Sequence, residues 1–351
     1  MKHFAIIGAG MAGISAARTL VQAGHRVSVF EKSSLAGGRM ASCETAFGNF
    51  DMGAQYFTVR DARFERALSD VPGTRDTVKA WSANAVRVLD TQGRVVEAAL
   101  PSREFHHVGT PGMDALVRHW AQPLMDSGAL HLNVHVHRLA RDTLTPTRWQ
   151  VHADGDTPAV WSGFDAVLMA LPHVHAQQLL RQSGALVVGR HLLDAMDPVR
   201  VAPCWTLMLA YPQASQPTLA HLGPQWNAAR STHHRVAWLA RESSKPGREP
   251  IERWTVQASA SWSAEHVNDS PDRVSAKLLK AFGEVTGIRA TPAHAEVHRW
   301  LYAKTAQPLG QSHMWFKAEG IGLCGDWCLG HRVEDAFVSG LELALAVLRK
   351  R

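Results

Sequence analysis

The apolar and polar positions of the N-terminal region follow two different periods. An apolar strand pattern ends at Ile7, a helical pattern runs on to Gly24, and a second strand pattern, Val27 to Phe30, is followed by Glu31. This change of period predicts a strand, a helix and a second strand in succession, which is typical of an α/β fold with a parallel sheet. Between the first strand and the helix stand three glycines at the spacing G-x-G-x-x-G: Gly8, Gly10 and Gly13.

Each glycine at this spacing has a physical purpose. Gly8 permits a tight turn, Gly10 lets the backbone approach a pyrophosphate, and Gly13 lets the helix pack closely on the strand. The start of the helix offers free N–H groups to phosphates, and Glu31 stands where a carboxylate accepts hydrogen bonds from a ribose 2′-OH. The set predicts a dinucleotide site; the competing interpretation is an ordinary glycine-rich turn between a strand and a helix.

Later patterns predict a second, discontinuous domain. Two alternating runs, Ala85 to Leu89 and Arg94 to Ala98, predict a β-hairpin, whereas the continuous apolar run from Phe164 to Pro172 predicts a strand buried on both faces. Tryptophan-rich, strand-like runs between residues 173 and 291 predict a mixed sheet. We therefore expect an α/β protein with a Rossmann-like cofactor domain and a mixed-sheet substrate domain. The expected segments are 1–75, 105–175 and 295–351 for the cofactor domain, and 76–104 and 176–294 for the substrate domain.

The residues after Glu31 favour a flavin over a nicotinamide cofactor. A second glycine pair, Gly37 and Gly38, precedes Arg39, and the segment Gly53-Ala-Gln-Tyr-Phe57 follows soon after. An FAD runs on past the first strands and needs backbone near its pyrophosphate and its isoalloxazine ring, whereas a nicotinamide enzyme has no need of a second glycine pair. We therefore predict FAD as the cofactor.

The C-terminal pattern indicates that the chain returns to the cofactor. A short strand, Gly320 to Cys324, precedes Gly325 and Asp326, and a final helix follows. Asp326 can accept a hydrogen bond from a ribityl hydroxyl, and the helix N-terminus can face the end of the isoalloxazine where negative charge collects on reduction. Two simpler interpretations remain open: a plain turn at Asp326, and helix capping by Glu334 and Asp335.

Composition argues against several other functions. The net charge is +6 over 351 residues, without the basic run typical of a nucleic-acid-binding arm. No apolar stretch approaches the roughly 18 residues of a membrane helix, and no export signal is evident, so we expect a cytoplasmic protein. Cys324, Cys328 and His331 have the spacing of a partial metal cluster, but no fourth ligand stands nearby, so no metal is expected. The oligomeric state stays open.

Several longer motifs resemble those of bacterial renalases, from the first strand to the last helix. Beyond the glycine pattern they are Gly38-Arg-Met40, Asp51-Met-Gly-Ala-Gln-Tyr-Phe-Thr58, Pro111-Gly-Met113, Trp238-Leu-Ala-Arg241, Ser244-Lys-Pro-Gly-Arg248, Trp300-Leu-Tyr302 and Cys324-Gly-Asp-Trp-Cys328. The resemblance implies an FAD oxidase, with a fold of the glutathione-reductase and amine-oxidase type, that converts dihydro-NAD(P) isomers carrying hydride at ring position 2 or 6 to NAD(P)+. It also implies hydride transfer to flavin N5 and reoxidation by O2, which yields H2O2.

The glycine pattern and the resemblance together imply two sets of contacts. The expected cofactor residues are Gly8, Gly10, Met11, Ala12, Gly13, Glu31, Lys32, Gly38, Arg39, Met40, Ala54, Gln55, Tyr56, Val136, Asp326, Val333, Glu334 and Ala336. The expected substrate residues are Tyr56, Phe57, Thr58, Val59, Arg60 and Trp205. Val136 would meet the adenine through its backbone, on a strand from His131 to Leu139. The chain departs from the family pattern at Ser34 and Leu35, where Arg-Gly is common, and at His331, where a small residue is usual.

Oxidation of a dihydronicotinamide needs little acid–base chemistry, because loss of hydride leaves an aromatic cation and no proton has to leave the substrate. We therefore predict no catalytic acid or base. Trp205 is expected either to pack against the nicotinamide, together with Tyr56, or to be a plain core residue. The basic residues Arg241, Lys245 and Arg248 are interpreted either as a loop that steers the dinucleotide or, preferably, as a solvated loop.

Two other functions stay open. A true amine oxidase often frames its amine between two aromatic rings, yet this chain has three tyrosines and lacks the cysteine motif of covalently flavinylated members. A non-enzymatic redox sensor, whose second domain reads the state of the flavin, would also fit the apolar, tryptophan-rich sheet.

Overall fold

A six-stranded sheet built around the first strand organises the two ends of the chain. The computed structural model describes residues 1–81, 86–98, 105–154, 158–184, 189–215 and 226–349. Neighbouring strands of this first sheet pair in parallel, except that Met314–Phe316 and Ile321–Leu323 pair antiparallel. The strand order is β19 (Met314–Phe316), β20 (Ile321–Leu323), β13 (Ala166–Met169), β1 (His3–Ile7), β2 (Arg26–Phe30) and β9 (Leu130–His131).

A seven-stranded mixed sheet forms the second large layer. Its strand pairs are antiparallel, except that Ala228–Ser231 and Val86–Leu89 pair in parallel. The strand order is β18 (His294–Gln307), β14 (Arg200–Tyr211), β17 (Glu252–Ala258), β16 (Val236–Arg241), β15 (Ala228–Ser231), β6 (Val86–Leu89) and β7 (Val95–Ala98). The predicted hairpin is confirmed as β6 and β7, although Ala85, its expected first residue, lies outside the described residues. The α/β fold class with a Rossmann-like domain and a mixed sheet is therefore confirmed.

Three smaller sheets lie beside these two. Their strands are β3 (Ser42–Thr45) with β4 (Gly48–Asp51), β5 (Val78–Trp81) with β8 (His106–Gly109), and β10 (His135–Arg141) with β11 (Trp149–Asp154) and β12 (Ala159–Phe164). The single strand expected from His131 to Leu139 is in fact divided between β9 and β10. Asn133 separates them with a φ of 57°, a left-handed conformation that no regular strand accommodates.

Helices cover both large sheets. Those of the described residues are α1 (Met11–Gln22), α2 (Ala62–Asp70), α3 (Thr74–Thr77), α4 (Ala115–Asp126), α5 (His173–Ser183), α6 (Arg190–Asp194), α7 (Ala260–Glu265), α8 (Pro271–Thr286) and α9 (Val333–Leu348), with 3-10 turns at Gly38–Met40, Pro212–Ser215, Glu242–Ser244 and Asp326–Cys328. In this part of the chain no helix combines the length and the apolar character needed to cross a membrane.

One predicted domain boundary is wrong. The segment beginning at residue 295 was expected to belong wholly to the cofactor domain, but β18 pairs with β14 along the edge of the seven-stranded sheet. Only after this long strand does the chain return to the first sheet, through β19 and β20. The other predicted segment bounds remain predictions.

Candidate functional site

The turn between β1 and α1 is built as tightly as its glycines predict. Gly8 has a φ of +102°, and a Cβ there would lie 2.6 Å from the carbonyl oxygen of Ala170. A Cβ on Gly13 would lie 1.9 Å from the carbonyl oxygen of Gly8, so the first turn of the helix rests directly on the end of the strand. These two glycines are therefore needed for the protein's own packing.

The second glycine pair lies against the first turn. Gly37 donates its N–H to the carbonyl of Ala9 at 3.0 Å, and a Cβ on Gly38 would lie 3.3 Å from the Cα of Gly10. Helix α1 starts after Gly10 without any side-chain cap, so its first N–H groups face a surface that carries only backbone. Such a surface fits a dinucleotide pyrophosphate, because backbone donors and the helix dipole both favour its negative charge.

Glu31 lies buried at the end of β2, beside this turn. Its Oε2 accepts the N–H of Ala9 at 2.8 Å and its Oε1 accepts the N–H of Ser33 at 2.9 Å. The chain that leads to Val136 passes next to it, since Val134 donates its N–H to the carbonyl of Glu31 at 2.9 Å. Each carboxylate oxygen keeps a second lone pair, which can accept a ribose hydroxyl as predicted.

The two ends of the chain meet at this site. Arg39 and Asp326, both expected to contact the flavin, form an ion pair in which Arg39 Nη1 lies 3.0 Å from Asp326 Oδ2. Arg39 Nη1 also donates to the carbonyl of Ala303 at 3.2 Å. A Cβ on Gly340 of α9 would lie 2.0 Å from the carbonyl oxygen of Ala12, so the last helix packs directly on the first. The loop before α9 therefore lies beside the opening β1–α1 turn.

Glu334, expected to contact the cofactor, serves the protein backbone. Its buried carboxylate accepts the N–H groups of Arg60 and Asp61, the latter at 2.6 Å. Asp335 accepts the N–H of Arg332 at 2.9 Å and so caps α9. The simpler capping interpretation therefore holds for Asp335, whereas Glu334 ties the expected substrate segment to the last helix.

The loop that carries Gln55 and Tyr56 packs on one face of the seven-stranded sheet. Gln257 Nε2 donates to the carbonyl of Gly53 at 2.6 Å, and Trp300 Nε1 donates to that of Met52 at 2.9 Å. On the same face, Trp238 is the register partner of Gln257. This face of the sheet therefore looks toward the loop that is expected to contact the cofactor.

Trp205 lies on the opposite face, which corrects the expectation that it contacts substrate. Its neighbour Thr206 is the register partner of Gln257, and successive side chains of a strand point to opposite faces. Trp205 is 3% exposed, and its indole Nε1 donates to the carbonyl of His266 at 3.0 Å. The alternative that the sequence left open, a core residue, is the one the structure supports.

Tyr56 stands in an aromatic wall. Its ring lies 4.1 Å from that of His106, 5.6 Å from that of Trp238 and 6.4 Å from that of Trp81. Phe57, expected to contact substrate, instead points into the core and is 3% exposed. The remaining expected residues are placed in this way: Met11, Ala12, Met40, Gln55, Thr58 and Val136 are buried, Ala54, Val59, Val333 and Ala336 are partly buried, and Lys32 is exposed.

A fully buried group of charges lies directly behind the Gln55–Tyr56 loop. Lys245 Nζ lies 2.8 Å from Asp51 Oδ2, 2.8 Å from Glu242 Oε1 and 3.1 Å from Gln55 Oε1. Arg248 Nη2 lies 2.8 Å from the same oxygen of Asp51. The four charged side chains have no exposed surface. We refer to these five residues as the Asp51 cluster; it overturns the interpretation of Lys245 and Arg248 as a solvated or steering loop.

Electrostatics distinguish the two carboxylates of the Asp51 cluster. Burial by itself would raise the pKa of Asp51, but the positive charges of Lys245 and Arg248 outweigh it and leave that pKa below its usual value. Burial also raises the pKa of Glu242, where the attraction of Lys245 offsets it incompletely. The third basic residue of the predicted loop, Arg241, pairs with Glu252 at 2.7 Å.

Sequence reasoning missed this cluster because its members come from distant segments. Asp51 and Ser244-Lys-Pro-Gly-Arg248 both belong to motifs that carry the family resemblance, and that was the available signal. Lys245 is 194 positions from Asp51, and nothing in one sequence pairs the two. The cluster joins the end of β4 to the segment that follows β16, beneath the loop that is expected to contact the flavin.

The cysteines of the C-terminal motif are buried thiols. Burial raises the pKa of Cys328 to about 12 and also raises that of Cys324. Because a metal binds the thiolate, these protonated thiols suit packing better than ligation near neutral pH. His331, the departure from the family pattern, has its pKa lowered by burial and by the neighbouring positive charges of Lys304 and Arg332.

Two family models match the chain. Residues 6–71 match an NAD(P)-binding Rossmann-like domain, which contains the glycine turn and Glu31. Residues 97–348 match the flavin-containing amine oxidoreductase family, and this region holds most of the seven-stranded sheet and the return to the cofactor.

Curated relatives match short segments. The chain is 46% identical over 59 residues to a 1-hydroxycarotenoid 3,4-desaturase from Flavobacterium sp. (strain P99-3), which covers 17% of this chain and 12% of that protein. It is 59% identical over 39 residues to the L-amino acid oxidase Lm29 from Lachesis muta, which covers 11% of this chain and 8% of that protein. The chain thus spans about a tenth of the length of the curated relatives that it matches.

Solved structures share the fold over nearly the whole chain. A putative protoporphyrinogen oxidase from Exiguobacterium sp. 255-15 aligns with a TM-score of 0.75 at 13% identity, covering 99% of this chain and 98% of that one. A putrescine oxidase bound to putrescine aligns with a TM-score of 0.72 at 14% identity, covering 99% of both chains. Cyclohexylamine oxidase from Brevibacterium oxydans IH-35A aligns with a TM-score of 0.69 at 13% identity, covering 99% and 98%.

These matches agree with the meeting of the two chain ends and with the glycine cradle, the surface formed by Gly8, Gly10, Gly13, Gly37 and Gly38. The match to a flavin-containing family confirms FAD as the cofactor. The family model spans well over half of the chain. The chain therefore belongs to the flavin-containing amine oxidoreductase family.

Proposed function

We propose that this protein is an FAD-dependent oxidase of dihydro-NAD(P) isomers that carry hydride at ring position 2 or 6. The balanced reaction converts one dihydro-NAD(P), one O2 and one proton into one NAD(P)+ and one H2O2. When bound, FAD would supply flavin N5 as the hydride acceptor and a route for the two electrons to O2. The chain itself has to bind the dinucleotide, orient its ring and exclude water.

The observation that carries this proposal is the combination of the aromatic wall with the Asp51 cluster. The wall around Tyr56 offers flat apolar surface on which a nicotinamide can stack. The two carboxylates behind it, Asp51 and Glu242, already face Lys245, and Asp51 also faces Arg248. An ammonium substrate would therefore find these buried carboxylates already paired, whereas an uncharged ring does not need one.

The charges at the rim support a substrate that carries phosphates. Lys304 and Arg332 lie close enough to His331 to lower its pKa, after the larger effect of burial. Asp335 and Asp326 act on the pKa of His331 in the opposite direction, and Arg332 lies 3.7 Å from Glu334. Lys304 is a cation at this position that favours a dinucleotide diphosphate over a polyamine. No side chain is required to remove a proton, because the substrate loses hydride and becomes an aromatic cation.

A flavin amine oxidase is the second candidate, and the family match favours it. The family is named for amine oxidoreductases, and putrescine oxidase and cyclohexylamine oxidase share the fold. Under this alternative the aromatic wall would frame an amine beside the flavin. The paired state of Asp51 and Glu242 is the feature that argues against it.

Anaerobic mixing separates these functions. The purified yellow protein is mixed without O2 with 2- and 6-dihydro-NAD(P), with ordinary 4-dihydro-NAD(P), and with putrescine and cyclohexylamine, while flavin absorbance is followed. Bleaching within seconds by the 2- or 6-isomers, and not by the 4-isomer, is the expected result. Bleaching by amines alone would replace the proposal with amine oxidation. Bleaching by none of them would favour the non-enzymatic redox sensor.

A further inference from the structure

A surface cavity lies between α1, α2, α4 and α9, outside the glycine cradle. Its volume is about 330 Å³, and the part of its lining that decides its chemistry consists of Arg18, Arg66, Val71, Trp120, Phe337 and Leu341. The residues from α1 occupy positions 15–22, past the glycine turn, so this cavity is separate from the cradle. A volume of this size is enough for a small organic molecule of one ring.

Arg18 is a positively charged residue of this cavity whose guanidinium has no carboxylate partner among the described residues. Its guanidinium lies 5.3 Å from the centre of the Trp120 ring, and Nη1 donates to the carbonyl of Trp120 at 3.3 Å. Among the described residues, no carboxylate lies within ion-pair distance of it. Burial lowers the pKa of Arg18, as expected for a charge that has lost water without gaining an opposite charge.

The neighbouring charged groups are engaged elsewhere and do not pair with Arg18. Arg63 is taken up by Asp61, with Nη2 and Oδ2 2.7 Å apart, and by Glu342. Asp70 lines the cavity and accepts a hydrogen bond from Ser69. The lining thus carries three arginines, Arg18, Arg63 and Arg66, and one acid, Asp70, around an apolar floor of Val71, Phe337 and Leu341.

We propose that this cavity is a binding site for a small aromatic carboxylate. The planar fork of the Arg18 guanidinium matches a carboxylate through two parallel hydrogen bonds. The apolar floor formed by Val71, Phe337 and Leu341 takes the ring of the ligand. The same ligand would bridge α1 and α9, which are already joined by the hydrogen bond from Ser15 Oγ to the carbonyl of Phe337 at 3.0 Å.

The test uses the FAD-loaded protein and 3-phenylpropanoate, with binding measured by titration calorimetry and the flavin spectrum recorded in parallel. Neutral 3-phenylpropanamide and inorganic phosphate are the comparison ligands. The variants are Arg18→Met and, as a matched control, Arg181→Met, because Arg181 is an exposed residue on α5. We expect saturable binding of the acid to the parent protein and to Arg181→Met, at least tenfold weaker binding to Arg18→Met, and no change in the flavin spectrum.

Several results would overturn the site. Absence of binding, equal affinity for Arg18→Met, or equal affinity of the parent for the neutral amide would each remove the role of Arg18. A shift of the flavin spectrum by the acid, with Arg18→Met unaffected, would place the ligand beside the cofactor instead. Phosphate that binds as tightly as the acid would remove the role of the apolar floor. If Arg18→Met does not fold, the comparison of acid and amide on the parent protein still decides the question.

Discussion

Replacing Lys245 by methionine removes the central cation of the Asp51 cluster while it keeps a side chain of similar length. Lys245 Nζ lies 2.8 Å from a carboxylate oxygen of Asp51 and 2.8 Å from one of Glu242, and none of these side chains has exposed surface. After the substitution Asp51 keeps Arg248 as an ion-pair partner. Glu242 keeps the hydroxyl of Thr255, at 2.8 Å, as a hydrogen-bond donor to the oxygen that faced Lys245.

The size of the effect follows from these contacts. At an effective dielectric constant of about 20, charges 2.8 Å apart attract by about 6 kcal/mol. Burial of both charges consumes much of this, and removal of one partner from a buried pair costs about 3–5 kcal/mol, because the other charge is left without compensation. We expect Lys245→Met to lower the free energy of unfolding by that amount at pH 7.5.

The loss should be smaller at pH 5.5. The native pKa of Glu242 is already raised, so the native state holds a proton there more tightly than the unfolded state does. A group of this kind contributes stability at low pH and loses that contribution as the pH rises through its native pKa. Without Lys245 the pKa of Glu242 rises further, and uptake of a proton relieves the uncompensated charge in acid.

Urea unfolding of the FAD-loaded protein, followed by tryptophan fluorescence at both pH values, measures this effect. Lys280→Met is the matched control, since Lys280 is exposed on α8 and lies 4.0 Å from Glu284. The control should lose less than about 0.5 kcal/mol. The reasoning is refuted if Lys245→Met loses no more than the control, or if its loss is as large at pH 5.5 as at pH 7.5.

Three further predictions concern the cradle, the histidines and the second sheet. Gly10→Val should give a folded but colourless protein, because a Cβ at Gly10 meets nothing nearer than the Cα of Gly38 at 3.9 Å and so obstructs the pyrophosphate rather than the fold; stoichiometric FAD in the purified variant would contradict this placement. Within the described part of the chain, ten histidines, His107 among them, have a native pKa lowered chiefly by burial. Stability should therefore be lost as the pH falls below the unfolded value of about 6.5, and a Tm that stays level from pH 7.5 to 5.5 would argue against it. Trp205→Phe should lower the free energy of unfolding by about 1 kcal/mol, because it removes the hydrogen bond to the carbonyl of His266. KM and kcat should stay unchanged, and a tenfold rise in KM would instead indicate that Trp205 contacts the substrate.

The sequence by itself determined the cradle and the fold class. The turn at Gly8, the close contact at Gly13 and the position of Glu31 follow from spacing within one β–α–β unit, where each residue acts on near neighbours. The return of the chain at Asp326 was also predictable, because a short apolar strand, a glycine and a helix follow one another there. Strands, turns and helices of this kind can be predicted because the periodicity and the turn residues that specify them lie close together in the sequence.

Tertiary structure alone decided which side chains of the second sheet face the loop of Gln55 and Tyr56. From Trp205 to Tyr211 every residue of β14 is buried, so no alternation of apolar and polar residues marks the face that packs on this loop. The register with Gln257 and β17 settles it and places Trp205 on the far side. A strand buried on both faces gives a single sequence no means to distinguish them.

The Asp51 cluster shows the same limit for charges. Basic residues in a short Ser-Lys-Pro-Gly-Arg segment are usually solvated, and the acid that buries Lys245 lies 194 positions away. The cost of burying these charges is compensated only in the folded chain, where Lys245 Nζ lies 2.8 Å from a carboxylate oxygen of Asp51 and 2.8 Å from one of Glu242. The stability of such a cluster depends on the tertiary contact between the end of β4 and the segment after β16, and no local pattern of residues specifies that contact.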